Sequence, residues 1–524
     1  MPNVDDPLKT AGSRSSMQGF LDVVERIGNR VPDPIVLFLI LIGIVIVLSH
    51  ILATVGVSVT YQVINPRTQA VETTTTAVRS LLHADGIRFI FERTIPNFLG
   101  FTALGQLFVA MLGVGVAERA GLVDAMIRRV VRVAPGWALC YILVFVGILS
   151  SIASNAGYLV LIPLAAIAFM KVGRHPIAGL AAGFAAVGGA FSVNMFIKPI
   201  DAVLAEMTND AIRLIDPTLS VSLAANIWFS IASALLLTVV ITQITQRIIE
   251  PRLGAYSGPG ALEGGAQDAA AEGATNQAAE ARGLRFAGVA AVAVGLFFVL
   301  LTAPQGAPLR APDTGAIIGN TPFMNGLVVI IAVIFLVCGA AYGQGAGTLK
   351  GIGAVIKAMQ QTVVGLSGMM LVMFFISQFI AHFNYSNMAT ILAISLSDSL
   401  KTADIGPFWL LIGFILVICV LNLFMTGAVA KWAMVAPIFV PLLVRLGVEP
   451  EAIMAAYRIG DSVPNIATPM LSMYALILGF FQRYDAKAGV GTVLTMMLPY
   501  VMWMLIIWVG LFSAWYWLDL PWGV

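Results

Sequence analysis

Charge is what this chain has least of. Its 29 Lys and Arg and 27 Asp and Glu make up 11% of 524 residues, where soluble domains carry about 25%. With 59% hydrophobic residues and a mean hydropathy of +0.93, the shortage places the chain in a bilayer as a polytopic protein. Cysteine is also scarce. Cys140, Cys338 and Cys419 sit in apolar runs and share no spacing, so neither a disulfide framework nor a thiolate metal site follows. His50, His83, His175 and His382 are scattered without metal-ligand spacing. No G-x-x-x-x-G-K-[ST], H-E-x-x-H or G-x-S-x-G sequence occurs. The chain therefore carries no ATP-hydrolysing loop or familiar hydrolase motif of its own, is not read as an enzyme, and gives no sign of an ATPase subunit as partner. No basic run is interleaved with aromatics, which speaks against nucleic acid. The leader has no short apolar core before a cleavage site, so the first span is expected to target the chain itself.

What is present is a repeat. Residues 147–197 align without a gap on 421–471, an offset of 274 positions. The register keeps Ala156/Ala430, Pro163/Pro437, Gly173/Gly447, Pro176/Pro450 and Ala181-Ala182/Ala455-Ala456, and pairs Tyr158 with Trp432 and Lys171 with Arg445. Both copies are apolar, and both are cut by Gly, Pro, Ser and Asn where a simple span would run unbroken. Paired interruptions in the two halves of a membrane protein mark the binding region of a secondary transporter.

Runs of roughly 20 apolar residues divide the chain into a cytoplasmic leader (1–33), a first half (34–249) holding repeat 147–197, a Gly/Ala-rich linker (250–284) read as flexible and cytoplasmic, and a second half (285–524) holding repeat 421–471. The expected fold is all-α, with about nine transmembrane helices, two re-entrant hairpins and broken helices at the core. An odd number of spans between the copies inverts one relative to the other. Residues 59–96 read as a polar external loop. Lys9, Arg14, Arg26 and Arg30, with Arg119, Arg128, Arg129 and Arg132, place the N-terminus in the cytoplasm and the C-terminus outside.

The breaks are the candidate sites, because unpaired backbone survives at membrane depth only where it lines an enclosed wet cavity. Ser154 and Asn155 lie in the first break, within SSIASNAG, and Asn422 with Thr426-Gly427-Ala428 forms its counterpart. Opened helix ends offer carbonyls to cations and N–H groups to anions. Three charges stand in apolar context: Arg458 and Asp461, three apart in AAYRIGDSVPNIATPM, and Asp201 in NMFIKPIDAVLAE beside Lys198. Such groups mark an ion or substrate path, although Arg458 and Asp461 also read as a structural pair tying the break together. Trp432 and Tyr158 follow the two breaks. Each reads either as a stacking surface for a flat ring or as filling of a helix interface.

The motifs AAYRIGDSVPNIATPM (455–470), WAMVAPIFVPLL (432–443), GRHPIAGLAAGFAAVGGAFSVNMF (173–196) and PNFLGFTALGQLFVAMLGVGVAERAGL (96–122) resemble the p-aminobenzoyl-glutamate transporter (AbgT) family. The resemblance covers essentially the whole chain apart from the leader and the linker. It implies a homodimer in a bacterial inner membrane among lipids, with a scaffold and a transport core. The implied work is ion-gradient-driven import of p-aminobenzoyl-glutamate or export of sulfonamide antimetabolites. Carried over position by position, the family's set falls on Asp201, Asn422, Trp432, Pro450, Arg458, Asp461 and Pro469. Of these the resemblance links Trp432, Arg458, Pro450 and Pro469 to substrate and Asp201, Asn422 and Asp461 to ion coupling. Asn422 and Asp461 are further implied as ligands of a bound sodium ion, with no other cofactor. Val429 and Lys431 depart from the family pattern, where Ser and Gln are expected. The alternative on the same hairpins is a passive channel.

Overall fold

The computed structural model describes residues 33–64, 71–152, 157–216, 218–254, 256, 267–318, 321–402 and 406–524. Ser154 and Asn155 lie outside them. Helix α1 (Pro34–Val55) starts on Asp33, whose carboxylate accepts the Ile35 N–H at 2.8 Å, and stops at left-handed Gly56. The stretch expected to be a plain polar loop is more ordered than its composition suggests. Strands β1 (Ser58–Ile64) and β2 (Val71–Ala77) pair antiparallel, Ser58 facing Ala77, because alternating Val and Thr suit a pleated surface. Helix α2 (Ala84–Leu99) then runs through to α3 (Thr102–Ala120).

Amphipathic α4 (Leu122–Val133) carries the arginine run. The Gly/Ala-rich segment corrects a second expectation. Instead of a flexible linker throughout 250–284, a 36-residue helix α10 (Gln267–Thr302) begins inside it. Ala, Glu and Gln are strong helix formers, and the adjoining span extends the helix into them. Glu280 on α10 accepts Arg128 at 2.8 Å and Arg132 at 3.3 Å, pinning it to α4.

Small residues set the lateral layer. A Cβ on Gly113 of α3 would lie 1.9 Å from the Ala332 carbonyl oxygen, and one on Gly339 2.6 Å from Ala117 Cα. Backbones can approach this closely only without side chains, the device that replaces hydrophobic drive between helices in lipid. It packs α3 against α11 (Leu327–Ala346), which also lies along α10. Long α12 (Gly351–Tyr385) passes α1 and α3, and α13 (Met388–Thr402), not anticipated as an element, packs on the second repeat.

The two repeats form the main core and match in their boundaries. In the first, α5 (Leu139–Leu149) breaks into a tight turn at Ser150–Ile152. The chain resumes as a wide turn at Gly157–Leu161 and α6 (Ile162–Lys171). After left-handed Gly173, α7 (Pro176–Phe184) opens and breaks at Ala185–Gly189. α8 (Pro199–Ile212) and α9 (Ile227–Ile244) follow. In the second, α14 (Pro407–Phe424) breaks ahead of α15 (Ala428–Arg445). After left-handed Gly447, α16 (Pro450–Ser462) opens and breaks at Val463–Ala467, before α17 (Tyr474–Gln482) and α18 (Val490–Trp517). Lys171 and Arg445 end equivalent helices, and Pro176 and Pro450 start the next. Gly173 and Gly447, at φ 72° and 84°, supply the left-handed turn that L side chains resist.

Nine helices among the described residues are long and apolar enough to cross a membrane. The molecule is thus a helical multi-span protein with broken helices at its centre, and β1–β2 is its one departure from all-α among those residues.

Candidate functional site

The two late breaks cross. A Cβ on Gly188 would approach Ile466 Cγ2 to 2.9 Å, so Ala185–Gly189 and Val463–Ala467 meet backbone against side chain. Within each repeat, equivalent bonds tie the late break to the early one. Asn194 Nδ2 donates to the Leu149 carbonyl at 3.1 Å, and Thr468, its repeat mate, donates to the Leu423 carbonyl at 2.7 Å, Leu423 being the mate of Leu149. Each bond satisfies an end carbonyl of a broken helix that lipid would leave unmet.

Two buried ion pairs sit around this crossing, and they are not the pairs the spacing suggested. Arg458 does not pair with its helix neighbour Asp461. Its Nη1 donates to Asp201 Oδ1 at 2.6 Å and to the Ser192 carbonyl at 2.8 Å, so it ties α16 to α8 across the repeats. The other Asp201 oxygen accepts the Lys198 N–H at 2.7 Å at the start of α8. Asp461 pairs with Lys431, whose Nζ lies 2.7 Å from Oδ1. Its Oδ2 accepts the Ser192 hydroxyl at 2.7 Å, and the Tyr457 hydroxyl lies 3.3 Å from Oδ1. Lys431 also donates to Asn422 Oδ1, while Asn422 Nδ2 donates to the Asp461 carbonyl at 2.8 Å and to Asn465 Oδ1 at 3.0 Å. Lys431, Asp461 and Asn422 are all 0% exposed. A lone charge this deep would cost several kcal/mol; paired and hydrogen-bonded, it holds.

Beside the pairs lies a cavity of about 490 Å³. Its walls come from both repeats and from the flanking helices: Ser151, Ile152 and Tyr158 at the first break, Thr426 to Ala430 at the second, Met111 of α3, and Leu366 and Met369 of α12. Lys198, Phe191, Asn465 and Ser472 also line it. The Lys198 ammonium donates to the Phe191 carbonyl at 2.6 Å and lies 5.3 Å from the Phe191 ring centroid. The cavity is therefore mostly apolar, with a cation, an amide and the hydroxyls of Ser151, Tyr158, Thr426 and Ser472 at defined places, the composition of small-molecule sites.

The expected residues divide against this geometry. Asn422, Asp461, Arg458 and Asp201 gather at the crossing. Trp432 does not face the cavity. Its ring is fully buried, its centroid lies 4.4 Å from that of Tyr457, and its Nε1 donates to Thr208 Oγ1 at 3.1 Å. This favours the interface-filling reading of the two that its position allowed. Its repeat mate Tyr158 lines the cavity instead. Pro450 opens α16, and neither Pro450 nor Pro469 is among the cavity walls. Arg458 is likewise spent on Asp201 and does not line it. Sequence reasoning noted Lys198 only as a neighbour of Asp201 and Lys431 only as a departure from the family pattern, and passed over Ser192 and Asn465. The available signal was two lysines in apolar runs, FIKPID and VAKWAM, where a cation is rare enough to need a partner.

Broken-helix repeats crossing at the core, with buried charges beside a mostly apolar cavity, are the layout of a membrane transporter. The model of the AbgT putative transporter family matches residues 19–524. The chain is 34% identical over 500 residues to the p-aminobenzoyl-glutamate transport protein of Escherichia coli (strain K12), covering 95% of each. Among solved structures, the YdaH transporter of Alcanivorax borkumensis matches with a TM-score of 0.86 at 39% identity, over 94% of this chain and all of that one. MtrF of Neisseria gonorrhoeae, described with a class of antimetabolite efflux pumps, matches with a TM-score of 0.88 at 39% identity, over 95% of this chain and 97% of that one. The chain belongs to the AbgT transporter family.

Proposed function

We propose that this protein is an ion-gradient-driven secondary transporter of aromatic carboxylates of the p-aminobenzoyl-glutamate type, with sulfonamide antimetabolites as cargo for export. The cavity carries this reading. Its volume suits one such molecule, Tyr158 and Phe191 offer ring faces, and the Lys198 ammonium offers an opposite charge to a carboxylate. A Lys198 head group already turned to a backbone carbonyl can exchange that neutral acceptor for a carboxylate, a stronger charge-assisted bond. Arg458, expected for this role, is held by Asp201. Val429, where the family pattern has Ser, faces the cavity and makes this wall less polar, which favours ring over hydroxyl-bearing cargo. The relatives' described cargoes, p-aminobenzoyl-glutamate for one and antimetabolites for another, agree with this shape.

The reading places the protein as a homodimer in a bacterial inner membrane, N-terminus cytoplasmic and C-terminus periplasmic. The test is flux of labelled p-aminobenzoyl-glutamate and of a sulfonamide in proteoliposomes, with proton and sodium gradients imposed separately. Gradient-dependent accumulation above equilibrium is expected. Flux that only equalises concentrations would favour a passive channel.

A further inference from the structure

A sodium ion held by Asn422 and Asp461 is what the resemblance led us to expect, and the residues present do not fit one. Sodium needs oxygens with free lone pairs pointing at a shared space. Here Asn422 Oδ1 and Asp461 Oδ1 both accept from the Lys431 ammonium. Asp461 Oδ2 is taken by the Ser192 hydroxyl, and the Asn422 amide nitrogen is turned toward the Asp461 carbonyl and Asn465. The position where a cation would touch both oxygens holds a positive nitrogen, covalently attached and 0% exposed. A second cation there would sit a few ångströms from the first, sharing a single carboxylate in a low-dielectric core, where repulsion between like charges is strong.

We propose that the Lys431 ammonium is a built-in cation filling the second repeat's cation position, so that this protein works without sodium at Asn422 and Asp461. Lys431 belongs to α15, which carries the wall of the cavity from Ala428 to Ala430. The tether therefore fixes that wall to α16 permanently, where an exchangeable ion would fix it only when bound. Val429 and Lys431, the two positions that depart from the family pattern, lie two residues apart on this helix. One changes the cavity surface and the other the site behind it. The inference rests on the transporter reading for its meaning, yet it concerns cation binding alone, so the two fail separately.

The experiment is thermal unfolding of the purified protein in detergent, titrated with sodium chloride against choline chloride at constant ionic strength. Ligand that binds the folded state raises the melting temperature in a saturable way. We expect no sodium-specific rise for the wild-type protein. Lys431→Gln, which removes the charge and adds a carbonyl oxygen at the same place, should gain a saturable sodium response, and adding Asp461→Asn to it should abolish that response. Lys431→Arg, which keeps a cation, should stay as insensitive as wild type. A saturable sodium response in the wild type that disappears in Asp461→Asn overturns the proposal, and so does a folded Lys431→Gln that stays silent. If Lys431→Gln does not fold, the wild-type and Asp461→Asn titrations still decide the matter.

Discussion

Replacing Asp201 with alanine should expose how much of the fold hangs on one cross-repeat pair. In the native protein its carboxylate meets Arg458 Nη1 at 2.6 Å with one oxygen and the Lys198 N–H at 2.7 Å with the other. Arg458 is 4% exposed and, among the described residues, has no other carboxylate within bonding distance, only the Ser192 carbonyl and the Asn226 amide oxygen. Alanine thus leaves a buried guanidinium without a counter-charge, a loss of about 3–5 kcal/mol. It also removes an N-terminal acceptor of α8, worth about 0.5–2 kcal/mol. Asp201→Asn should cost less, because an amide oxygen can still receive the Lys198 N–H. Arg458→Met combined with Asp201→Asn should recover part of the loss, with a coupling of about 0.5–3 kcal/mol between the two sites. The assay is equilibrium unfolding of purified protein in mixed detergent, read by tryptophan fluorescence, on the wild type, both singles and the double. An Asp201→Ala loss below about 1 kcal/mol, or strictly additive singles, would refute the claim that the pair holds α16 to α8.

Three further outcomes follow from the same geometry. Trp432→Ala should lower stability by about 3–5 kcal/mol, since a fully buried ring and its bond to Thr208 are removed; binding curves on the folded fraction should stay unchanged, and a selective loss for ring-bearing substrates would return Trp432 to the site. Tyr158→Ala should weaken ring-bearing cargo by about 0.5–1.5 kcal/mol beyond lost contact area, with Tyr158→Phe close to wild type, as measured by isothermal titration. Lys198→Gln should cost a carboxylate substrate about 1.5–3 kcal/mol of binding while sparing an uncharged sulfonamide, and equal losses for both would remove Lys198 from the carboxylate role.

The fold was legible because it depends on features that sequence displays directly. Apolar length gave α1, α9, α11 and α14, and the matched Pro and Gly positions marked where helices stop. The misses have physical causes. The β1–β2 hairpin carries only a short period-two alternation at Val59, Tyr61 and Val63 that a search for spans passes over, and α2 sits in sequence too polar to read as a span. The start of α10 lies in Gly/Ala-rich sequence whose helix propensity competes with its linker-like composition. The partners of the charges were not legible at all. Arg458 and Asp461 are three residues apart on one helix, α16, yet Arg458 reaches Asp201 at the start of α8 while Asp461 reaches Lys431 of α15. Each charge reaches the element on its own side.

Comparison of the two copies explains why site chemistry is harder to read than architecture. At the 274-residue offset, Pro163, Gly173 and Pro176 pair with Pro437, Gly447 and Pro450, because each copy must make the same turn. The charges do not pair: Asp461 stands against Val187, Arg458 against Phe184, Lys431 against Gly157, Asn422 against Ile148 and Asp201 against Ala475. The two ion pairs already bury four charges around the crossing, and a symmetric second set would double that number in a low-dielectric core. The first half accordingly gives Ser192, Lys198 and Asp201, the second Asn422, Lys431, Arg458 and Asp461. Even the aromatic mates divide their work, Tyr158 at the cavity wall and Trp432 locked between α8 and α16. Repetition therefore locates the site, and the positions where repetition fails identify the residues that give it its chemistry.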